Sequence, residues 1–442
     1  MGLFGTDGVR GVANEKLTPE LALALGRAAL LLRDERNRAV IGRDTRRSGE
    51  MLAAALAAGL ASVGIETVDA GVVPTPAIPF LLKKYDASFG AAISASHNPP
   101  EDNGIKFFDR AGFKIAEELE TKLERAVDAG SAERPTGRGI GRIHAAQEAQ
   151  ESYLEYLLRI GAELRGLNLK LVVDCAHGAT APIAPELFER LGLETIVICD
   201  RPDGDNINCG CGSTELRALQ EAVILYRADL GVAYDGDGDR ALFVDHEGRE
   251  VDGDAVLLIA ALELRRQERL NPPAVVATVM SNFGLEESLR RYDIELLRTP
   301  VGDRYVAEKL AETGSLLGGE QSGHIIFREH STTGDGLITT LELLKVIKQT
   351  GRPLAELVAQ LARYPQVLHN IPVPDPARFH RHEELQQKIK EFQAQLDGVG
   401  RLVVRPSGTQ PLIRVMVEGK DHRLVSQVAT ELRGLIAREL GL

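Results

Sequence analysis

The chain lacks several features that would place it in common functional classes. Its 442 residues contain only four cysteines, at 175, 199, 209 and 211. In a chain of this length they form no disulfide framework. Cys209 and Cys211 stand one residue apart and no second close pair exists, so a zinc site is not expected from local spacing. Basic residues are outnumbered, 52 against 64 acidic ones. The formal net charge is -12, which disfavours nucleic acid and anionic membrane as partners. The longest apolar run, residues 52–65, is alanine-rich and too short to cross a bilayer. No charged-then-apolar leader pattern opens the chain, and no low-complexity segment interrupts it. A reducing cytoplasm fits these readings, with a small molecule rather than a polymer or membrane as the partner.

What is present is a repeated alternation of short apolar strands and helices, which argues for α/β units with parallel or mixed sheets. The length predicts two to four domains. Changes in composition place units at 1–145, 146–253, 254–365 and 366–442. The first three share an approximate strand-helix rhythm, as duplicated α/β domains would. Thr18, Ser48, the Ser213-Thr214-Glu215 run and Asp335 read as helix starts. A hinge is expected near Tyr364-Pro365.

Chemistry-bearing residues gather in loops that follow strands, where open α/β sheets bind ligands. Residues 94–108 read SASHNPPEDNGIKFF. The strand before them must end by Pro99, leaving Ser94, Ser96, His97 and Asn98 on a tight loop; a polar turn is the plain alternative. Asp235, Asp237 and Asp239 alternate with glycines after an apolar strand. Adjacent carboxylates repel one another unless a cation sits among them, and hard oxygen donors suit Mg²⁺. An EF-hand is excluded, because its sixth and twelfth positions would be Arg240 and His246. The alternative is a solvated acidic turn. Glu320, Ser322 and His324 suit sugar hydroxyls. Arg405, Ser407, Gly408, Thr409 and Arg414 suit a phosphate, with forked guanidinium donors, hydroxyls and an open backbone; a Pro-Ser-Gly turn is the alternative there. His177 has no sequence partner and reads as structural. A loop serine, a metal loop and a distant phosphate grip together suggest phosphoryl transfer through a covalent phosphoserine.

These segments together resemble the α-D-phosphohexomutase superfamily along essentially the whole chain. The resemblance rests on FGTDGVRG at 4–11, ISASHNP at 93–99, DNGIKFF at 102–108, DGDGDR at 235–240, VGDRYV at 301–306, GEQSGH at 319–324 and RPSGT at 405–409. It implies three similar mixed-sheet α/β domains plus a smaller C-terminal α+β domain around a central cleft. It further implies that Ser96 is the phosphoserine and that Asp235, Asp237 and Asp239 bind Mg²⁺ together with the Ser96 phosphate. Arg10, His97, Lys106 and Arg240 would surround the transferring group. Glu320, Ser322 and His324 would hold sugar hydroxyls, with His324 a candidate base. Arg405, Ser407, Gly408, Thr409 and Arg414 would hold the phosphate that is not reacting. Gln321 resembles the amino-sugar branch of the superfamily. The implied reaction interconverts glucosamine 6-phosphate and glucosamine 1-phosphate through a hexosamine 1,6-bisphosphate, supplying amino sugar for cell-wall synthesis; a glucose or mannose phosphate substrate is the alternative. A homodimer is possible within such a family. Gln410 departs from the glutamate usual in RPSGTE. A serine hydrolase is disfavoured because no G-x-S-x-G elbow surrounds Ser96. An idle sugar-phosphate binder is disfavoured because the serine and all three aspartates are present.

Overall fold

The computed structural model describes residues 2–5, 7–130, 134–407 and 411–440. By contact density the chain forms two compact units. One comprises Met1–Thr278 with Leu297–Val358, the other Val279–Leu296 with Ala359–Leu442. Tyr364, the expected hinge residue, lies inside the second unit, where its amide donates to Asn282 Oδ1 at 3.2 Å.

The first sheet contains β1 (Val9–Val12), β2 (Arg38–Arg43), β3 (Glu66–Val72), β4 (Phe89–Ile93), β5 (Asp102–Asp109) and β6 (Ile143–Ala145), in the order β1-β5-β4-β2-β3-β6. The second contains β7 (Lys170–Asp174), β8 (Glu194–Ile198), β9 (Leu230–Tyr234), β10 (Ala241–Asp245) and β11 (Glu250–Val251), in the order β11-β10-β9-β7-β8. Both share one wiring. Two parallel pairings, β4-β2-β3 and β9-β7-β8, are each extended by an antiparallel strand, β5 or β10. The third sheet, β12 (Ala274–Thr278), β13 (Glu295–Thr299), β14 (Leu317–Gly319) and β15 (Ile325–Phe327), has the order β13-β12-β14-β15, with β14 parallel to β12 and antiparallel to β15. The serine loop follows β4, the aspartate loop β9 and the 320–324 loop β14. Each therefore occupies the same place, between a parallel strand and the antiparallel strand that extends its sheet. The fourth sheet is antiparallel, in the order β16 (Gln366–Pro372), β18 (Leu412–Gly419), β17 (Gly400–Pro406).

The strands that lead into the chemistry-bearing loops, β4, β9 and β14, are buried through their length. All five residues of β4 and of β9 are buried, as fits central strands covered on both faces. The helices Pro19–Ala28 and Ser48–Ser62 cover the first sheet with Leu25, Leu52, Leu56 and Leu60, all fully buried. They meet backbone to backbone at two glycines. A Cβ on Gly26 would lie 2.4 Å from Leu56 O, and one on Gly59 would lie 2.3 Å from Leu23 O. Alanine at either site would force the helices apart.

Helix starts follow the sequence in part. Thr18 and Asp335 cap as expected, accepting from Leu21 N–H and Ile338 N–H. Ser48 does not cap, because its hydroxyl accepts instead from the buried Asn103 amide at 2.9 Å. The 213–215 run also fails to cap; that helix begins at Arg217 without a side-chain cap. No helix among the described residues is long and apolar enough to cross a membrane.

Candidate active site

Ser96 is held before any ligand arrives. It is 1% exposed and takes a left-handed φ of 53°, a conformation a serine adopts only where its surroundings impose it. Its amide donates to Ser94 Oγ at 2.9 Å, and Ser94 Oγ donates to Asp44 Oδ2 at 2.5 Å. Its carbonyl accepts from Arg46 Nη2 and Asn208 Nδ2, both at 2.9 Å. Arg46 also reaches the carbonyls of Asn98 and Asp102, and that of Pro99, while its Nε donates to Asp44. This guanidinium, buried with Asp44, therefore organises the whole loop from beneath. Sequence reading passed over Arg46, Asp44 and Asn208. The signal available for the first two was their place just after β2, beside the strand that carries the serine.

The loop brings Ser96 Oγ to the aspartate loop, where it donates to Asp235 Oδ2 at 2.6 Å. Each of the three aspartates offers a carboxylate oxygen, and these lie within 4.8 Å of one another. All three are buried. Burial, followed by Asp239 and Asp237, pushes the Asp235 carboxyl well above the usual carboxylate range. Asp239 is raised by burial and by Asp237. Asp237 goes the other way: burial works against its charge, but Lys106, Thr75 and Asp235 together outweigh it and lower its pKa. Lys106 Nζ lies 3.0 Å from Asp237, 3.5 Å from Asp7 and 3.8 Å from Asp239. Thr75 Oγ1 adds a hydrogen bond to Asp237 at 2.7 Å. Among the described residues two buried oxygens, Asp237 Oδ1 and Asp239 Oδ1, have no hydrogen-bond partner. Buried acceptors left bare are costly, and a hard divalent cation is what such oxygens suit. The donor set therefore fits a Mg²⁺ site.

Cations ring this acidic centre. Arg10 pairs with Asp7, and Arg240 Nε stands 3.9 Å from Asp239. Lys114, not foreseen from the sequence, contacts Asp7 and lies 2.6 Å from Asp303. His97 Nδ1 lies 3.2 Å from Ser96 Oγ. Burial, and then Arg240 and Arg10, lower the His97 pKa to about 4, so its imidazole is neutral at physiological pH.

His324 is 2% exposed. Its Nε2 lies 3.2 Å from Gly334 N and 3.5 Å from Asp303 Oδ2, and its Nδ1 has no hydrogen-bond partner among the described residues. Its open ring nitrogen is available to a ligand. Glu320 accepts from Ser322 Oγ at 3.3 Å and from Gly302 N–H at 3.2 Å. The Gln321 amide donates to Asp252 Oδ2 at 3.3 Å, and Asp252 also caps the helix Gly253–Arg266. Its side chain is thus engaged within the scaffold.

In the second unit Arg405 and Arg414 face each other across β17 and β18 as a direct cross-strand pair. Burial and then Arg414 depress the Arg405 pKa. Among the described residues neither arginine has an acidic partner, and Arg414 Nε is buried and unpaired. Ser407 N–H donates to Leu412 O at 2.9 Å. Gly408, Thr409 and Gln410 lie outside the described residues.

Four models of one family match the chain in succession. They are described as phosphoglucomutase/phosphomannomutase alpha/beta/alpha domain I at residues 1–134, domain II at 151–248, domain III at 252–364, and the C-terminal domain at 368–435. The chain belongs to this α-D-phosphohexomutase family. Its architecture of three mixed-sheet α/β domains and a C-terminal domain is the family's. A protein named phosphoglucosamine mutase from Syntrophomonas wolfei is 49% identical, over 99% of each chain. One of the same name from Desulforudis audaxviator is 51% identical, over 97% of this chain and 96% of that one. A crystal structure of a phosphoglucomutase/phosphomannomutase family protein from Burkholderia thailandensis superposes with a TM-score of 0.83 at 26% identity, covering 99% of this chain and 97% of that one.

Proposed function

We propose that this family member is a phosphoglucosamine mutase, interconverting glucosamine 6-phosphate and glucosamine 1-phosphate. The observation that carries the chemistry is Ser96 Oγ, 2.6 Å from Asp235 within a buried aspartate triad, two of whose carboxylate oxygens have no hydrogen bond among the described residues. The choice of amino sugar is supported by full-length relatives of that name; Gln321 does not decide it, being tied to Asp252.

In this reading Ser96 carries the phosphoryl group. A sugar hydroxyl oxygen attacks phosphorus, the bond from phosphorus to Ser96 Oγ breaks, and the proton of the sugar hydroxyl goes to Oγ. The resulting bisphosphate turns over, and the reverse sequence returns its other phosphoryl group to Ser96. Asp235, Asp237 and Asp239 would hold Mg²⁺ with the Ser96 phosphate, and the ion supplies neutralisation of charge on the phosphoryl oxygens. Lys106, Arg10 and Arg240 stabilise the same charge from preset positions. Neutral His97 donates to or accepts from the Ser96 oxygen without adding charge. Glu320, Ser322 and His324 Nδ1 orient the sugar hydroxyls. Arg405, Ser407, Gly408, Thr409 and Arg414 grip the phosphate that is not reacting, which spends remote binding energy on orientation.

The test is a coupled assay comparing glucosamine, glucose and mannose phosphates with catalytic bisphosphate present, together with peptide mass spectrometry. Phosphate should appear on Ser96 and not on Ser94, and kcat/KM should be highest for the amino sugar. Higher kcat/KM on glucose phosphates would transfer the protein to the glucose/mannose branch.

A further inference from the structure

We propose that His177, Cys199 and Cys211 form a second metal site, for a thiophilic cation such as Zn²⁺, separate from the aspartate triad. One imidazole nitrogen and two Sγ atoms lie within 4.8 Å of one another, as the ligands of a single tetrahedral zinc do. The three come from separate segments. His177 follows β7, Cys199 directly follows β8, and Cys211 lies in the long connection to the next helix. That is why close-pair spacing did not reveal them.

The cluster is tied together through its backbone. His177 N–H donates to Cys199 O at 2.6 Å, and Asn208 N–H to Ala176 O at 2.9 Å. Ala176, His177 and Cys199 hold left-handed φ values of 52°, 49° and 53°. An outer carboxylate is in place as well. Asp174 accepts from the amides of Ala176 and Gly212, both at 2.8 Å. It thereby fixes the backbone next to His177 and Cys211, the kind of support that outer-shell carboxylates give a metal site. The imidazole is lightly engaged: Nδ1 accepts one long hydrogen bond, 3.2 Å, from Arg201 N–H. Cys211 is buried, whereas His177 and Cys199 are only half-buried, which leaves a path from solvent. The Cys209 thiol points to its own loop, toward Asp205 O and Ile207 O at 3.8 and 3.6 Å, so the fourth position falls to water. Thiolate and imidazole donors select zinc over magnesium, so the two sites do not compete for one ion.

The site stands behind the nucleophile. Asn208, three residues before Cys211, donates to the Ser96 and Asn98 carbonyls, and Thr45 Oγ1 donates to His177 O at 2.6 Å. A bound cation would stiffen the segment that supports the serine loop, as a positioning element.

The test titrates the full-length protein, reduced and stripped of metal, with Co²⁺ and then Zn²⁺. A single equivalent of Co²⁺ should give thiolate-to-cobalt charge transfer and the visible bands of a tetrahedral site, bleached by Zn²⁺. Asp237→Asn should keep these bands, which separates this site from the proposed catalytic metal. Cys209→Ser should keep them too. Cys199→Ser should abolish them and weaken zinc binding by more than the roughly 10–100-fold typical of an outer-shell partner, while its melting without metal stays unchanged. Because Cys199 is half-buried, this variant carries the test if Cys211→Ser fails to fold. Reduced wild-type protein without thiolate bands, bands that survive Cys199→Ser, or bands lost in Cys209→Ser would overturn the assignment. So would a protein that forms a Cys199–Cys211 disulfide on exposure to peroxide yet takes up no cobalt when reduced.

Discussion

Two regions proposed to meet phosphate are built on opposite electrostatic plans. Around Ser96, Lys106, Lys114 and Arg10 already face carboxylates, from Asp7 to Asp303, and much of the machinery is buried. Around β17 and β18, Arg405 and Arg414 face each other, with no acid beside them among the described residues. Like charges placed opposite on neighbouring strands are destabilising, so that second arrangement costs stability until an anion arrives. The difference shows what each region must tolerate. A centre that gains and loses a phosphoryl group needs its charges balanced in both states. A grip that only holds a dianion can be left short of negative charge and draw it from the ligand.

The most severe way to break the first plan is to remove the acceptor. Ser96→Ala should lower mutase turnover by about four powers of ten or more, as for loss of a covalent nucleophile, and should abolish phosphopeptide at that position. Full activity in this variant would end the phosphoserine reading. Next comes the metal. Chelation should stop turnover, and Asp237→Asn should lower kcat by about three powers of ten, with activity assayed across a Mg²⁺ titration; a chelator-insensitive enzyme would contradict the assignment.

The contrast itself is sharpened by pairing two cation deletions. Arg405→Ala should lower kcat/KM by about two to three powers of ten, for loss of a charged phosphate contact, with little change in melting temperature. Lys106→Ala should lower both activity and stability, because it strands buried Asp237 at a cost of about 3–5 kcal/mol. Equal stability losses in the two variants would erase the distinction. A smaller effect is expected at Ser94→Ala, which removes two buried hydrogen bonds at about 1–3 kcal/mol while leaving Ser96 able to react. The smallest is expected at Gln410→Glu, with kcat/KM nearly unchanged, since glutamate is the residue usual at this place in the RPSGTE pattern that the chain resembles.

The loops that carry chemistry were legible because glycine, proline and clustered charge stand out where an apolar strand ends. Their common place after β4, β9 and β14 was only faintly legible, since it depends on strand order and not on local pattern. The supporting residues were illegible for a related reason. Arg46 looks like any surface arginine until β2 is laid beside β4, and Asn208 until the second sheet meets the serine loop. Ser48 looked like a cap because nothing in the sequence announces that Asn103 claims its hydroxyl. The cysteine pairing rule failed to find the Cys199 and Cys211 neighbourhood for the same reason: it searches along the chain, and that contact is made across it.

The clamp beneath Ser96 also decides which partner moves. Arg46 and Asn208 pin the loop by its carbonyls, and Ser94 pins it by an amide, so the serine oxygen behaves as a stator. In the proposed reaction the rotor is then the sugar, which must present first one end and then the other to a fixed point. A captive that turns half a revolution without leaving needs walls that hold it loosely in rotation and firmly against escape. The rigidity of one loop thus hands the burden of motion to the ligand.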